Sequence, residues 1–241
     1  MKKAINKYKV LVGTPHNEVK NYCFDDWAEL AKTLTYPNYD LMIVDNSKDR
    51  SNCQKILSMG IKCDYVKPKN KSSQQYIAES LELLRMTAIR DNYDILVILE
   101  DDVFPPHDFI QRLLSHKEKI VSGMYMIGQG SDSELMLQDI EQSGDCFRHS
   151  TRVDNGYGIL RADGTLQRVH ACGMGCMMIH RDIFSKVKFR AISGVSAPHP
   201  DSLFALDLDG LKLAQYLDTS LYCEHRNTSW FNGEKIIAVN G

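Results

Sequence analysis

The feature that most constrains the fold is an apolar run at 93–99 (YDILVIL) that leads directly into three carboxylates, Glu100, Asp101 and Asp102. A short apolar run of this kind predicts a buried strand. Three carboxylates after a buried strand are costly unless a cation lies beside them. Glu100 and Asp102 would point to the same side of an extended backbone, because side chains alternate with period two. They are therefore candidate ligands of a hard divalent ion, Mg²⁺ or Mn²⁺; the alternative is an acidic loop that caps the next helix.

Strands and helices are predicted to alternate through the first half of the chain. Apolar runs predict strands at 8–13, 39–44, 62–66 and 93–99, and apolar residues at helical spacing predict helices at 19–34, 51–59 and 73–90. This alternation indicates βαβ units and a mostly parallel sheet. Ligands bind beyond the carboxyl ends of the strands in such sheets. Polar clusters at 45–49 and 100–102 follow two of these strands, so we expect the ligand site there.

The second half of the chain is less regular. We predict a strand at 120–126, a long loop or lid at 128–155, and a turn at 161–164 between two short strands. An apolar, glycine-led segment follows at 173–179, then a short helix near Asp182, a helix at 203–217 and a last strand at 221–225. No repeat or linker interrupts the chain, which predicts a single α/β domain over 1–241.

Composition excludes several classes of protein. The 241 residues are 43% hydrophobic and 25% charged, which argues against disorder. The chain has no apolar run near the roughly 18 residues that span a bilayer, and its N-terminus lacks the apolar core of a signal peptide, so we expect a cytoplasmic protein. The net charge of −2 predicts no overall affinity for polyanions. One basic cluster is either a solvated loop or a rim near a phosphate-bearing substrate: Lys62, Lys67, Lys69 and Lys71.

The three carboxylates and the segments around them resemble the GT-A-fold glycosyltransferases, in particular the family-2-like enzymes, from about residue 8 to about residue 230. Glu100-Asp101-Asp102 falls where that family carries its D-x-D motif. The resemblance implies that Asp102 binds a metal ion on the donor diphosphate and that Glu100 contacts ribose or a metal-bound water. It places Asp101 among the donor-binding residues. It also implies a GT-A fold with a nucleotide-binding half at 1–119 and an acceptor and catalytic half at 120–241.

Two further segments resemble the family's nucleotide site. Thr14, Pro15 and Asn17 match the opening loop that holds the nucleotide, and Asp45 with Asn46 matches the carboxylate that binds the nucleobase or ribose. A carboxylate suits that task because it accepts hydrogen bonds from imide or hydroxyl groups. The resemblance therefore implies a nucleotide-sugar donor, with a UDP-sugar favoured.

Three other positions match the family, each with a structural alternative. Arg85, on the helix before the carboxylates, matches a donor-contacting position that would face a phosphate; otherwise it is an exposed helix residue. Gly173 and Gly175 resemble the segment that lines the donor-sugar and acceptor side, where glycine permits close approach of the backbone. Alternatively, these glycines are small residues required for strand packing.

An acidic segment in the last third of the chain resembles the motif that supplies the family's catalytic base. Asp207-Leu208-Asp209 matches it, but Leu206 stands where the family usually has Glu, so Asp207 is the predicted base and Asp209 the second choice. The alternative is a pair of acids near a helix terminus. His225 resembles a late metal ligand of many GT-A enzymes; otherwise it is a structural histidine.

The combined prediction is a metal-dependent glycosyltransferase that uses Mn²⁺ or Mg²⁺ and transfers a sugar with inversion. The metal ion would neutralise the leaving diphosphate, and a carboxylate would take the proton of the acceptor hydroxyl. The predicted acceptor is a glycan or a hydroxymethylated base in DNA. Two alternatives are a nucleotidyltransferase and a non-catalytic carbohydrate-binding protein on a degenerate transferase scaffold.

Overall fold

The strands predicted in the first half are present in the computed structural model, which describes residues 7–67, 71–127, 134–140, 147–149, 163–193 and 198–226. They are β1 (Val10–His16), β2 (Tyr39–Asp45), β3 (Lys62–Tyr65) and β4 (Ile95–Leu99). β1 lies between β2 and β4, β3 pairs with the other side of β2, and all these pairings are parallel. The carboxyl ends of β1, β2 and β4 therefore meet at one edge of the sheet.

Four later strands complete the central sheet, and the other later strands form three small sheets. The later strands are β5 (Val103–Phe104), β6 (Ile120–Met124), β7 (Met126–Ile127), β8 (Glu134–Leu135), β9 (Leu137–Ile140), β10 (Phe147–His149), β11 (Leu166–Val169), β12 (Ala171–Cys172), β13 (Cys176–His180), β14 (Gln215–Tyr222) and β15 (Glu224–His225). The central sheet has eight strands in the order β11-β14-β6-β13-β4-β1-β2-β3. β14 is parallel to β6, whereas β13 is antiparallel to β4 and β6, and β11 is antiparallel to β14. The predicted mostly parallel α/β sheet is confirmed, and the antiparallel pairings of β11 and β13 make it a mixed sheet.

Helices flank this sheet. The described α-helices are α1 (Phe24–Lys32), α2 (Ser51–Ser58), α3 (Ser73–Arg90), α4 (Phe109–Ser115), α5 (Arg181–Phe184) and α6 (Pro200–Gly210). α3 begins at a capping box, in which the Ser72 side chain accepts the Gln75 N–H and the Gln75 side chain accepts the Ser72 N–H. α6 begins with Pro200, whose missing N–H is not needed at the first helical position.

The side chains of β4 alternate between two hydrophobic cores. Ile95, Val97 and Leu99 pack with residues of α1 and α4, whereas Leu96 and Ile98 pack with residues of α3, α5 and α6. Every residue of β4 is buried. A strand covered on both faces is apolar throughout, which explains the continuous run at 93–99.

The helix predicted at 203–217 is wrong in its second half. α6 ends at Gly210, Lys212 adopts a left-handed φ of 56°, and β14 begins at Gln215. Leu213 and Leu217 continue the apolar spacing of the helix, but they reach the core from a loop and from a strand. The strand predicted at 221–225 is in fact the end of β14 followed by β15.

Two other predictions require revision. In place of a helix over 19–34, Glu18–Lys20 forms a 3-10 turn that begins where the Asn17 side chain accepts the Val19 N–H, and α1 begins only at Phe24. The described parts of 128–155 contain β8, β9 and β10 in place of a uniform loop. The rest of that segment, and Lys69 of the basic cluster, lie outside the described residues.

His116, which follows α4, contacts β14 through Asp218. His116 Nε2 lies 2.8 Å from Asp218 Oδ2, and the Ser220 hydroxyl donates to Asp218 Oδ1. Burial alone would raise the pKa of Asp218, but the hydrogen bonds from Ser220 and His116 outweigh it and hold this pKa below its usual value. A lowered pKa in the folded state stabilises the protein above the unfolded-state pKa of about 3.9. This contribution is lost as the pH falls through the folded-state pKa.

We expect Asp218→Asn to lower the free energy of unfolding by about 1–2 kcal/mol at neutral pH, because a charged hydrogen-bond acceptor is lost. The difference from the wild type should begin to shrink below about pH 4, where the carboxylate of the unfolded wild-type chain becomes protonated, and should vanish below the lower folded-state pKa. Urea unfolding of both proteins at neutral pH and at about pH 3 measures this difference in the free energy of unfolding. A difference that does not change with pH would contradict the role of the charge.

Candidate active site

A cavity of about 420 Å³ lies beyond the carboxyl ends of β1, β2 and β4. Its size is within the range of small-molecule sites, roughly 300–1,000 Å³, and its position is the one that a parallel sheet predicts for a ligand. The first turns of α3 and α6, and β15, also contribute to its wall. Its described lining residues are Pro15, His16, Asn17, Val19, Lys20, Asn46, Ser73, Tyr76, Ile77, Glu100, Asp101, Asp102, Tyr125, Ile127, Met136, His199, Asp201 and His225.

The structure brings together seven residues that the sequence predicted for the site. They are Pro15, Asn17, Asn46, Glu100, Asp101, Asp102 and His225. The Asn17 side-chain amide donates to the side-chain oxygen of Asn46 at 2.8 Å and to its backbone carbonyl at 3.1 Å. These bonds join the loops that follow two neighbouring parallel strands, β1 and β2.

Asp102 is the most deeply buried carboxylate of the cavity. It is 1% exposed, and its Oδ1 atom has no hydrogen-bond partner among the described residues. Its Oδ2 atom contacts the Lys20 ammonium group and lies 3.3 Å from His225 Nε2. A buried carboxylate oxygen without a partner is unfavourable, so this arrangement favours a ligand or an ion at Oδ1.

The His225 ring is oriented by the backbone. β15 pairs with β5, and His225 lies opposite Val103, the residue after Asp102. His225 Nδ1 lies 2.7 Å from the Met126 carbonyl oxygen. Because a carbonyl only accepts, Nδ1 carries a proton. Nε2 faces Asp102: it donates to the carboxylate when the ring is protonated and offers a lone pair when the ring is neutral. Histidines that bind metals are commonly held by a backbone carbonyl in this way.

The acidic residues of the cavity differ in charge state. Burial and the neighbouring Asp102 raise the pKa of Glu100 to about 7. Burial also opposes ionisation of Asp102, but the hydrogen bond with His225 and the charge of Lys20 lower its pKa to about 2. Burial lowers the pKa of His225, but the hydrogen bond and the charge of Asp102 raise it by a larger amount, so the pKa lies above its usual value. Asp102 is therefore ionised at neutral pH, whereas Glu100 titrates close to neutrality.

His16 and Asp101 form a buried pair beside this cluster. His16 Nδ1 lies 2.5 Å from Asp101 Oδ2, and the two residues are 1% and 3% exposed. His16 Nε2 is buried and has no hydrogen-bond partner in the described part of the chain. His16 also packs on the ring of Phe24, with centroids 4.4 Å apart. Because His16 lines the cavity, its Nε2 atom is a candidate hydrogen-bonding group for a ligand.

Thr14 and Asp45, predicted to contact the nucleotide, are not among the described lining residues. The Thr14 hydroxyl donates to the Leu99 carbonyl at 2.8 Å, which joins the end of β1 to the end of β4. Asp45 is fully buried, and its Oδ1 atom accepts the Ser47 N–H at 3.0 Å. Both residues therefore shape the strand ends behind the cavity.

Arg85, predicted to face a phosphate, is likewise not a described lining residue of the cavity. It is only 3% exposed, so the alternative of an exposed helix residue does not describe it either. Its guanidinium donates to both carboxylate oxygens of Glu82, at 2.6 and 2.7 Å, and to the Phe184 carbonyl at 2.7 Å. These bonds hold α3 against the end of α5, and the predicted phosphate contact stays a prediction.

Gly173 and Gly175 lie against Tyr125, a residue of the cavity wall. A Cβ atom on Gly175 would lie 2.7 Å from Tyr125 Cζ, closer than carbon atoms pack. The Gly175 N–H donates to the Tyr125 hydroxyl at 3.1 Å, and the Gly175 carbonyl accepts the Glu100 N–H at 2.9 Å. These contacts show that the glycines pack against a side chain of the cavity, and their predicted place beside the donor sugar and acceptor stays a prediction.

We expect Gly175→Ala to lower the free energy of unfolding by about 1–3 kcal/mol, because Tyr125 must move away from the added methyl group. Gly210→Ala is a matched control: no atom lies within 4 Å of a Cβ at this end of α6, and we expect unchanged or slightly higher stability. Urea unfolding measures both variants. Equal losses in the two would contradict the packing role of Gly175.

Asp207 and Asp209, the predicted base and its second choice, are not among the described lining residues of the cavity. Asp207 accepts hydrogen bonds from the Arg190 guanidinium at 2.8 and 2.9 Å, and Asp209 is exposed. Asp201, in the first turn of the same helix, does line the cavity. Burial and nearby acids, including Asp201, raise the pKa of Tyr125 well above its usual value. α6 therefore brings a carboxylate to the site from its first turn.

Lys20, Tyr125 and Asp201 are among the cavity residues that were not predicted from the sequence. Asp201 has a local signal, since Pro200 marks the first position of a helix and an acid follows it. Lys20 and Tyr125 have no such signal. Their roles depend on contacts with Asp102 and Gly175, which are distant in sequence.

Comparison with known proteins identifies the fold of this chain but not its family. The sequence matches no protein-family model, and no curated protein sequence matches it. The structure of GalNAc-T7 with UDP, GalNAc and Mn²⁺ is similar, with a TM-score of 0.61 and 10% identity over 90% of this chain and 44% of that chain. CMP:2-keto-3-deoxy-manno-octonic acid synthetase complexed with CTP gives 0.50 and 13%, over 87% and 88% of the two chains. A mycobacterial protein gives 0.55 and 15%, over 96% and 72%.

Identities this low establish the fold alone. It is the Rossmann-like α/β fold that GT-A glycosyltransferases share with nucleotidyltransferases, so the predicted GT-A-type fold is confirmed. The chain spans less than half of GalNAc-T7, at 44%. None of the helices in the described part of the chain has the length and hydrophobicity to cross a bilayer.

Proposed function

We propose that this protein is a glycosyltransferase that takes its sugar from a nucleotide-sugar donor, with a UDP-sugar favoured, and uses Mn²⁺ or Mg²⁺. The position of Asp102 carries the proposal. This carboxylate is buried at the carboxyl end of β4, its Oδ1 atom has no partner among the described residues, and His225 lies beside its Oδ2 atom. Carboxylate and imidazole groups are suitable ligands for these ions. The similar fold of GalNAc-T7 was solved with UDP and Mn²⁺.

Asp102 and His225 would hold the metal ion, with Glu100 beside them. The described residues contain no group of three or more His, Cys, Asp or Glu side chains arranged as a metal site. Mg²⁺ commonly binds through one or two carboxylates and completes its shell with substrate phosphates and water, which fits so few protein ligands. When bound, a divalent ion stabilises the negative charge that develops on a leaving diphosphate.

The loops after β1 and β2, with α3, are proposed to bind the nucleoside. Asn17 and Asn46 line this part of the cavity and offer both donors and acceptors, and Tyr76 adds an aromatic ring. His16 contributes the Nε2 atom described above. All these residues lie within 1–119, the half predicted to bind the nucleotide, whereas Asp201 lies in the half predicted to act on the acceptor.

Asp201 is proposed as the catalytic base in place of Asp207. Asp201 lines the cavity, whereas Asp207 is held by Arg190. As the acceptor hydroxyl oxygen attacks the anomeric carbon, Asp201 takes its proton. The new carbon–oxygen bond forms while the bond from the anomeric carbon to the diphosphate oxygen breaks. A single displacement of this kind inverts the anomeric centre; the proposed acceptor is a glycan or a hydroxymethylated base in DNA.

Incubation with a panel of nucleotide sugars, and separately with nucleoside triphosphates, tests the proposal, with glycans and hydroxymethylated DNA as acceptors and mass spectrometry as the readout. A glycosyltransferase releases nucleoside diphosphate and adds the mass of a sugar to the acceptor. Release of pyrophosphate from a nucleoside triphosphate would instead identify a nucleotidyltransferase, the alternative favoured by the fold shared with the CTP-bound synthetase. Ligand binding without any product would identify a non-catalytic carbohydrate-binding protein.

A further inference from the structure

Lys20 lines the cavity and contacts its most deeply buried carboxylate, Asp102. It is the only lysine or arginine among the described residues that line it, and its side chain is 19% exposed. Its ammonium group contacts Oδ2 of Asp102, and the same oxygen lies 3.3 Å from His225 Nε2. Lys20 therefore lies against the carboxylate to which we assign a divalent ion.

We propose that Lys20 is an internal counter-cation of Asp102, that binding of a divalent ion displaces it, and that the displaced ammonium group then binds the donor diphosphate. The proposal rests on the proposed function, because it requires a metal-dependent nucleotide donor. It assigns two successive partners to one lysine. In the metal-free protein the partner is Asp102, and in the loaded protein it is the diphosphate.

Electrostatics favours an exchange over joint occupancy. An ionised carboxylate as buried as Asp102 is strongly destabilising without a cation, which accounts for a lysine at this position. An ammonium group and a divalent ion within a few ångströms of each other repel strongly where little solvent screens them. The Oδ1 atom of Asp102, which lacks a hydrogen-bond partner in the described structure, offers an incoming ion its first contact. Exchange of one cation for another keeps Asp102 neutralised throughout.

The surroundings of Lys20 permit this movement and give it a destination. Lys20 ends the 3-10 turn Glu18–Lys20, which follows Asn17 of the proposed nucleoside loops. Its ammonium group is a compact charge on a flexible stem, so it can be redirected without movement of the backbone. A donor whose nucleoside lies at Asn17 and Asn46, and whose leaving group lies at Asp102, would place its diphosphate next to Lys20.

Direct Mn²⁺ binding tests the exchange. The signal of free Mn²⁺ in electron paramagnetic resonance is followed during titration of the wild type, Lys20→Met, Lys20→Arg and Lys55→Met. We expect Lys20→Met to bind Mn²⁺ at least about tenfold more tightly than the wild type, because a competing positive charge is removed. Lys20→Arg keeps the charge, and Lys55→Met removes an exposed lysine that pairs with Asp25 on α1; both should bind Mn²⁺ as the wild type does.

UDP binding tests the second partner of Lys20. At saturating Mn²⁺, we expect the Kd for UDP in calorimetry to rise about tenfold in Lys20→Met, because one charged hydrogen bond to the diphosphate is lost. Lys20→Arg should stay close to the wild type. Unchanged or weaker Mn²⁺ binding by Lys20→Met overturns the displacement, and an unchanged Kd for UDP overturns the diphosphate contact.

Asp102→Asn separates failure of this inference from failure of the proposed function. If the wild type binds Mn²⁺, Asp102→Asn does not, and Lys20→Met behaves like the wild type, the exchange is wrong and the metal site stands. If none of the proteins binds Mn²⁺, with or without UDP, the metal site and the exchange both fail. Circular dichroism establishes that each variant is folded, and Lys20→Gln takes the place of Lys20→Met if the latter does not fold.

Discussion

Asp102→Asn is expected to reduce sugar transfer by at least about 10³-fold and to abolish the Mn²⁺ dependence of UDP binding. Asparagine keeps the size of the side chain but removes the charge that would attract the cation. Calorimetry with UDP in Mn²⁺ and in EDTA measures the binding effect. The rate effect is measured with the donor that proves active in the nucleotide-sugar panel.

Asp25→Asn is a matched control for this variant. Asp25 is 65% exposed and pairs with Lys55 on the protein surface, so the same charge is removed without a change in the cavity; we expect unchanged UDP binding and transfer. Thermal unfolding of both variants is required, because Asp102→Asn also removes the anionic partner of Lys20 and His225. An Asp102→Asn protein that is folded and still needs Mn²⁺ to bind UDP would contradict the metal role.

Asp201→Asn is expected to lower turnover by about 10²–10⁴-fold, the usual contribution of a general base, while the Kd for the donor stays unchanged. The amide cannot take a proton from the acceptor hydroxyl, but it keeps the shape of the cavity wall. Steady-state kinetics with the active donor and calorimetry with UDP measure the two quantities separately.

Asp207→Asn is the matched comparison on the same helix. Asp207 pairs with Arg190 and is partly exposed, so we expect near-normal turnover and a loss of stability of at most about 1 kcal/mol. The opposite pattern, with turnover lost in Asp207→Asn and retained in Asp201→Asn, would restore Asp207 as the base and reject Asp201.

Local sequence patterns predict β1 to β4 and the helices between them, although α1 begins at Phe24 and not at residue 19. β4 is apolar over its whole length because cores lie on both of its faces. α3 carries its own start signal in Ser72 and Gln75. In the second half, Leu213 and Leu217 continue the apolar spacing of α6 although Lys212 has already turned the chain. Periodicity therefore finds the buried residues there, but it does not show where the helix ends.

The candidate site is only partly predictable for a related reason. Topology places the carboxylates after β4 at the sheet edge, and Asn17 and Asn46 join them there because β1 and β2 end at the same edge. The contacts that complete the site connect distant parts of the chain. Lys20 reaches Asp102 from the turn after β1, and no local pattern encodes that contact.

The candidate metal site depends on the pairing of β15 with β5, because this pairing places His225 beside Asp102. β15 has two residues, and its ladder, together with the contact of His225 Nδ1 with the Met126 carbonyl oxygen, places His225 against Asp102. Short peripheral ladders generally open at a lower free energy than a central sheet, so we expect the imidazole to separate from the carboxylate more readily than the domain unfolds. An ion that binds both groups must, by linkage, oppose this opening. Amide hydrogen exchange at Glu224 and His225 would then slow when the ion is bound. The exchange rate of these two amides would therefore report the fraction of protein that holds the ion.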